Sequence, residues 1–197
     1  MAIKVTSLTE QEISEIGEAF AYYNYAEGEY GMSALYKSKE DVKKYICGYA
    51  RAMLKAGFLY STSEEHEAFI AFKSSKESLG FGAVSELIKA VIRTMRFRDM
   101  IKLVKKGGES YEDSLKKAKK PYVFVGMLVV RRKYQGQGYM RKVLDIAYEE
   151  GKKLGCPVLL DTDATLKRDK YVHLGMKNVR TRKFDEGIVL YDLAKED

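Results

Sequence analysis

The run YVFVGMLVV (122–130), followed by RRKY (131–134) and QGQGYM (135–140), decides how the rest of the chain is read. Residues 122–130 are nearly all apolar. A strand with no polar face is one buried on both sides, at the centre of a sheet. A basic loop then leads into a turn with glycines at 136 and 138. Met140, Val143, Leu144, Ala147 and Leu154 recur at helical spacing, and Gly155-Cys156-Pro157 stops that helix. Residues 158–161 read as a second buried strand. Strand, Gly-rich turn, helix and strand make one βαβ unit.

A turn of this kind is suited to an anion. The first N–H groups of a helix have no partner within it, and the helix dipole adds partial positive charge there. Glycine lets a phosphate approach the backbone without a Cβ in the way. Gly136 and Gly138 open the turn, and Gln137, Tyr139, Met140 and Arg141 offer further amides. Arg131, Arg132, Lys133 and Arg141 add positive side chains. The pattern is not a Walker A loop, because no Gly-Lys-Ser/Thr closes it. Nor is it the dinucleotide fingerprint, because the third glycine is absent. Taken alone, a Gly-x-Gly turn is equally well a tight structural connection.

Upstream, a short strand over 3–6 precedes a helix capped by Thr9. A Tyr-rich stretch follows, then a second helix capped by Ser38 and ended by Gly57. Strands over 58–62 and 68–72 form a hairpin. The segment from about 74 to 120 reads as basic and helical, an insertion broken at Gly107-Gly108. Its Val84, Leu87, Ile88, Val91, Ile92 and Met95 make an apolar stripe expected to pack. Downstream, a short helix over 165–174 leads to two strands, 177–184 and 188–193, joined at Asp185-Glu186-Gly187.

The 197 residues, 46% hydrophobic with net charge +7, suit one globular domain over 1–197. The first third is acidic, the segment 73–120 strongly basic. A basic segment faces a polyanion or simply solvent. No apolar run is long enough for a bilayer, and the N-terminus lacks the apolar core of a secretory signal. Two cysteines cannot make a disulfide framework, and two histidines and two cysteines are few for zinc. A cytoplasmic protein without a metal is expected.

These segments resemble the GNAT superfamily of acyl-CoA-dependent N-acetyltransferases. Its signature, Arg/Gln-x-x-Gly-x-Gly/Ala, compares with Gln135-Gly136-Gln137-Gly138-Tyr139-Met140, where Met140 replaces a small residue. Leu128-Val129-Val130 matches the family strand along the pantetheine arm. Tyr171-Val172-His173-Leu174-Gly175-Met176 is similar to its Tyr-x-x-x-Gly-Phe segment. The likeness is specific over about 122–193 and topological over 1–72. It implies an α+β fold: a mixed, mostly antiparallel twisted sheet flanked by helices, with the helical insertion between the third and fourth strands.

The resemblance also implies acetyl-CoA as cosubstrate and direct transfer of its acetyl group to a primary amine in a ternary complex. Leu128, Val129, Val130, Gln135, Gly136, Gln137, Gly138, Tyr139, Met140 and Arg141 would then bind the cosubstrate. Leu128, Val129 and Val130 would supply an oxyanion N–H, and Tyr171 would act as the acid toward the thiolate. Met140 is expected to turn its side chain to the core. The general base stays open: Glu27 and Glu29 are candidates, Asp161 and Asp163 end a central strand, and Asp163 reads rather as a helix cap. Tyr22, Tyr23, Tyr25 and Tyr30 with Glu27 and Glu29 suit a cationic amine or a half-buried packing surface. A non-catalytic CoA-binding regulator, and a nucleic-acid or ribosome-associated module built on 73–120, remain the alternatives. The insertion is free to cover the sheet, cap the acceptor site or form a homodimer contact.

Overall fold

Capping chemistry sets where the helices begin. In the computed structural model, which describes residues 3–29, 31–94, 108–184 and 188–196, Thr9 and Glu12 close a reciprocal capping box on α1 (Glu10–Ala21). Ser38 accepts the Asp41 amide at the start of α2 (Lys39–Ala56), and Gly57 ends it at φ 73°. Ser110 and Asp113 form a second capping box. Between them these caps fix α1, α2 and, after α3 (Phe81–Thr94), the short α4 (Tyr111–Lys117). The remaining helices are α5 (Tyr139–Leu154) and α6 (Thr165–His173).

The strands are β1 (Ile3–Lys4), β2 (Leu59–Ser61), β3 (Ala68–Ser74), β4 (Val123–Val130), β5 (Val158–Thr162), β6 (Lys177–Lys183) and β7 (Val189–Lys195). They form one seven-stranded sheet in the order β1-β2-β3-β4-β5-β7-β6. Among the described residues only β4 and β5 run parallel, as the βαβ unit requires; every other pair is antiparallel. The apolar run 122–130 is thus the central strand, and the α+β, mostly antiparallel architecture is the one expected.

Helices cover both faces. Val143, Leu144 and Ala147 of α5 and Tyr171 of α6 pack on one side with Ile70, Val125 and Leu160. Ile16 of α1 and Ala50 and Met53 of α2 pack on the other with Phe69 and Met127. Strand β4 changes sides midway. Ala71 pairs with Met127 but Phe72 pairs with Val125, so Gly126 is an extra residue in the ladder. Val123 and Val125 therefore face α5, whereas Met127 and Val129 face α1 and α2. A Cβ on Gly126 would run into the Tyr49 hydroxyl.

The segment 74–120 lies between β3 and β4, as expected of an insertion. Its described helices are α3 and α4. The Ser75 amide donates to the Tyr122 carbonyl at 2.8 Å, so the segment leaves and rejoins the sheet at adjacent positions. Met95, Gly107, Tyr30 and the turn Asp185-Glu186-Gly187 lie outside the described residues. The apolar stripe of α3 packs only in part: Leu87 rests against the core, whereas Ile88 is 53% exposed and Ile92 74%, and Ala83 and Ala90 are buried. The small face packs because α2 comes close. A Cβ on Gly48 would lie 2.6 Å from that of Ala90. Close approach of two helices selects small residues, and periodicity alone does not reveal this.

Candidate active site

Strands β4 and β5 pair only at Val123–Val158 and Phe124–Leu159. Beyond these rungs β4 stays with β3 as far as Val130, and β5 stays with β7 as far as Thr162. The centre of the sheet therefore parts, and a cavity of about 1360 Å³ opens there. That exceeds the roughly 300–1000 Å³ usual for one small ligand, and leaves room for two.

One wall carries most of the residues expected from the sequence. Leu128, Val129, Val130, Gln135, Gly136, Gly138, Tyr139, Met140, Arg141 and Tyr171 all line the cavity. Gln137 does not; its side chain donates to the Lys133 carbonyl at 3.0 Å instead. The Gln135 side chain donates to the Val130 carbonyl at 3.1 Å, tying the turn to the strand end. Gly136 (φ 77°) and Gly138 (φ 79°) are both left-handed, and a Cβ on either would meet nothing within 4 Å. The space beside the turn is open. Gly138 is also the N-cap of α5, with no side-chain cap, so the first amides face that space. Such a cradle fits a phosphate. Met140, in the first turn of α5, packs partly on the core, while its other side lines the cavity.

The surrounding charge differs from expectation in one respect. Arg131 is buried, with its Nε 2.6 Å from Glu15 Oε2 and its Nη1 on the Glu65 carbonyl. Its charge fastens β4 to α1 rather than facing an anion. Arg132, Lys133 and Arg141 are exposed.

Tyr171 is buried on α6, and burial pushes its phenol above the ordinary tyrosine value, with Tyr148, Tyr23 and Asp163 adding to the rise. It stays protonated throughout the neutral range. Among the described residues its hydroxyl has no hydrogen bond, so a proton there can be donated into the cavity.

The opposite wall comes from α1, α2, the Tyr-rich loop and the β6–β7 pair. Tyr23 and Tyr25 meet edge to face with centroids 5.2 Å apart. They do form a cation site, but the chain supplies its own cation. Lys167 Nζ stands 4.1 Å from the Tyr23 centroid and 5.3 Å from that of Tyr25. It also pairs with Asp163 at 3.1 Å. Tyr22 points outward and Glu27 is exposed.

Asp163 is not the cap of α6, contrary to expectation. The Tyr25 hydroxyl donates to it at 2.6 Å, and Ala164 occupies the N-cap position. Glu29 supplies the missing acceptor, its Oε1 taking the Thr165 amide at 3.0 Å. His66 lies elsewhere, against Glu12 at 2.7 Å. His173 is exposed at the cavity edge.

Three cavity residues carried no signal of function in the sequence: Tyr45 and Tyr49 on α2, and Arg182 on β6. Tyr49 read as part of an apolar helix face. Asp161 was one carboxylate among several. In the fold it sits deep between the layers, yet 43% of its side-chain surface is open because that part faces the cavity. Burial pushes its carboxyl up to about 6, against the opposing pull of Arg182.

A family model described as the acetyltransferase (GNAT) family matches residues 6–174. Among solved structures, a protein from Pyrococcus horikoshii OT3 is 14% identical with a TM-score of 0.58, covering 100% of this chain and 98% of its own. Arylalkylamine N-acetyltransferase 2 from Aedes aegypti is 9% identical, with a TM-score of 0.56 and coverage of 98% and 96%. An Arabidopsis thaliana protein solved with the bisubstrate analogue CoA-Ac-MVNAL is 12% identical, with a TM-score of 0.53 and coverage of 100% and 98%. At these identities the likeness is one of fold. No curated protein matches the sequence.

Proposed function

The chain belongs to the GNAT acetyltransferase family, and on that premise we propose that it moves an acetyl group from acetyl-CoA directly to a primary amine held in the same cavity. The observation that carries the proposal is the open left-handed turn at Gly136 and Gly138, which begins α5 at the mouth of the gap between β4 and β5. The bisubstrate complex of the Arabidopsis relative lends support, since its ligand joins CoA to an acetylated peptide.

Each part of the cavity has a task in this reading. Amides of Gly138, Tyr139, Met140 and Arg141 receive the pyrophosphate, with Arg141 adding charge. Acetyl-CoA supplies an activated acyl thioester. Successive N–H groups along a strand point to opposite sides, and the Arg131 N–H goes toward β3, to the Glu67 carbonyl; the N–H groups of Leu128 and Val130 therefore lie on the side of β4 that β5 has left, available to the carbonyl oxygen as negative charge develops on it. Tyr171 gives its proton to the departing sulfur. The side-chain wall orients the amine. The buried thiols of Cys47 and Cys156 suit a reducing cytoplasm.

The test is thiol release from acetyl-CoA, followed with a chromogenic disulfide while amines are added one at a time. Amine-dependent release by the wild-type chain is expected. CoA binding without release by any amine would favour a regulator that binds CoA without turning it over.

A further inference from the structure

Four carboxylates line the cavity: Asp113, Asp161, Asp163 and Asp169. Three are engaged at short range. Asp113 accepts from Ser110 at 2.7 Å, Asp163 from Tyr25 at 2.6 Å, and Asp169 holds Arg168 at 2.7 Å. Among the described residues the side chain of Asp161 has only Arg182, at 3.4 Å. That guanidinium is itself closer to Asp192, at 2.7 Å, and Asp192 also accepts the Tyr111 amide at 2.8 Å. Asp161 is thus the cavity carboxylate with acceptor capacity left over.

What stands around it is aromatic. Tyr45 and Tyr49 feel the charge of its carboxylate, Tyr36 meets Tyr45 at 5.5 Å, Tyr49 lies over the Gly126 backbone, and the Phe184 ring stands 6.0 Å from the Arg182 guanidinium. Burial pushes the phenols of Tyr36, Tyr45 and Tyr49 upward, so all three remain neutral. One open carboxylate in a ring-lined pocket fits a single ammonium on an aromatic body. A polyamine would need further open carboxylates, and the other three are engaged. The cage of Tyr23 and Tyr25 is filled by Lys167.

We propose that Asp161 holds and deprotonates the ammonium group of an arylalkylamine acceptor whose ring lies among Tyr36, Tyr45, Tyr49 and Phe184. The proposal rests on the acetyl-transfer reading above. The Asp161 carboxylate takes one proton from the ammonium and leaves a neutral amine. The nitrogen lone pair forms the N–C bond to the acyl carbon, and the C–S bond breaks. The thiolate takes the Tyr171 proton, and the second proton lost by nitrogen restores the phenol. Asp161 then returns its proton to solvent.

The groups facing Asp161 are Arg182 from β6, Asp192 from β7, Glu112 from α4, Asp163 beyond β5, and Tyr45 and Tyr49 from α2. Arg182 favours the ionised form, the neighbouring carboxylates and burial oppose it, and the carboxyl reaches about 6. An ammonium that needs the ionised form should bind about tenfold more weakly at pH 5 than at about pH 7.5.

The experiment is calorimetric titration of phenethylammonium into the full chain saturated with CoA, with 2-phenylethanol and spermidine as comparisons. The expected results are binding of phenethylammonium at least about tenfold tighter than of either comparison, the stated loss at low pH, and a loss of at least about tenfold at neutral pH in Asp161→Asn with CoA affinity unchanged. If Asp161→Asn does not fold, the wild-type ammonium-to-alcohol ratio and its pH dependence decide. Equal binding of phenethylammonium and 2-phenylethanol, tighter binding of spermidine, or an unaltered Asp161→Asn would overturn the proposal. Failure of the wild-type chain to bind CoA would instead remove the acetyl-transfer reading beneath it.

Discussion

One wall of the cavity, running from β4 through Gly136 and Gly138 into α5, presents backbone; the other presents side chains gathered from α1, α2, β5, β6 and β7. The first is a contiguous stretch whose function depends on conformation: two positive φ angles, an uncapped helix start and a strand that parts from its neighbour. The second depends on which side chains happen to meet. Backbone sites tolerate wide changes in sequence so long as the turn survives, whereas side-chain walls are free to change with the acceptor. This is why the first wall carries the family likeness and the second does not.

The largest effect that would sharpen the contrast lies where the walls meet. Tyr171→Phe should lower turnover about 100-fold and leave CoA affinity within about twofold. Steady-state kinetics beside calorimetry would separate these, and unchanged turnover would remove Tyr171 as the acid. Next come the helices behind the side-chain wall. Ala90→Leu should cost about 1–3 kcal/mol by forcing α3 off α2, while Ile92→Lys, on the exposed face, should stay within about 0.5 kcal/mol. Urea melts of both would show whether the small face is the packed one. The Ile92→Lys control aside, the smallest effect belongs to Glu29→Ala. Loss of the acceptor for the Thr165 amide should cost about 1 kcal/mol, with little change in CoA affinity. Part of that cost is offset, because Glu29 Oε2 is buried without a partner among the described residues.

The order of elements, the central strand and the Gly136–Gly138 turn were legible because each rests on a local pattern: an apolar run, two glycines, Thr9 and Ser38 as caps. What was not legible depends on contacts between distant residues. Arg131 looked like an anion ligand until Glu15, 116 positions away, claimed it. The aromatic cluster looked like an amine site until Lys167 filled it. Asp163 looked like a cap until Glu29 took that role from 136 positions away. The stripe of α3 identified a helix and the packing of Leu87 but missed the burial of Ala83 and Ala90, because small residues do not stand out in a hydrophobic pattern. Asp161 gains its character first from burial and then from Arg182, Asp192 and Glu112, none of them near it in the chain.

The most direct test of the backbone wall is calorimetric titration of acetyl-CoA into the wild-type chain and into Gly138→Asp, with adenosine diphosphate as a reference. Aspartate tolerates the left-handed region better than most residues, and its side chain would enter open space, so the fold should survive. The account predicts about micromolar binding of acetyl-CoA by the wild type, much tighter than adenosine diphosphate, and a loss of at least about 100-fold in the folded variant as a negative charge meets the pyrophosphate. Equal affinity of the two proteins would contradict it and return the Gly136–Gly138 turn to a purely structural role.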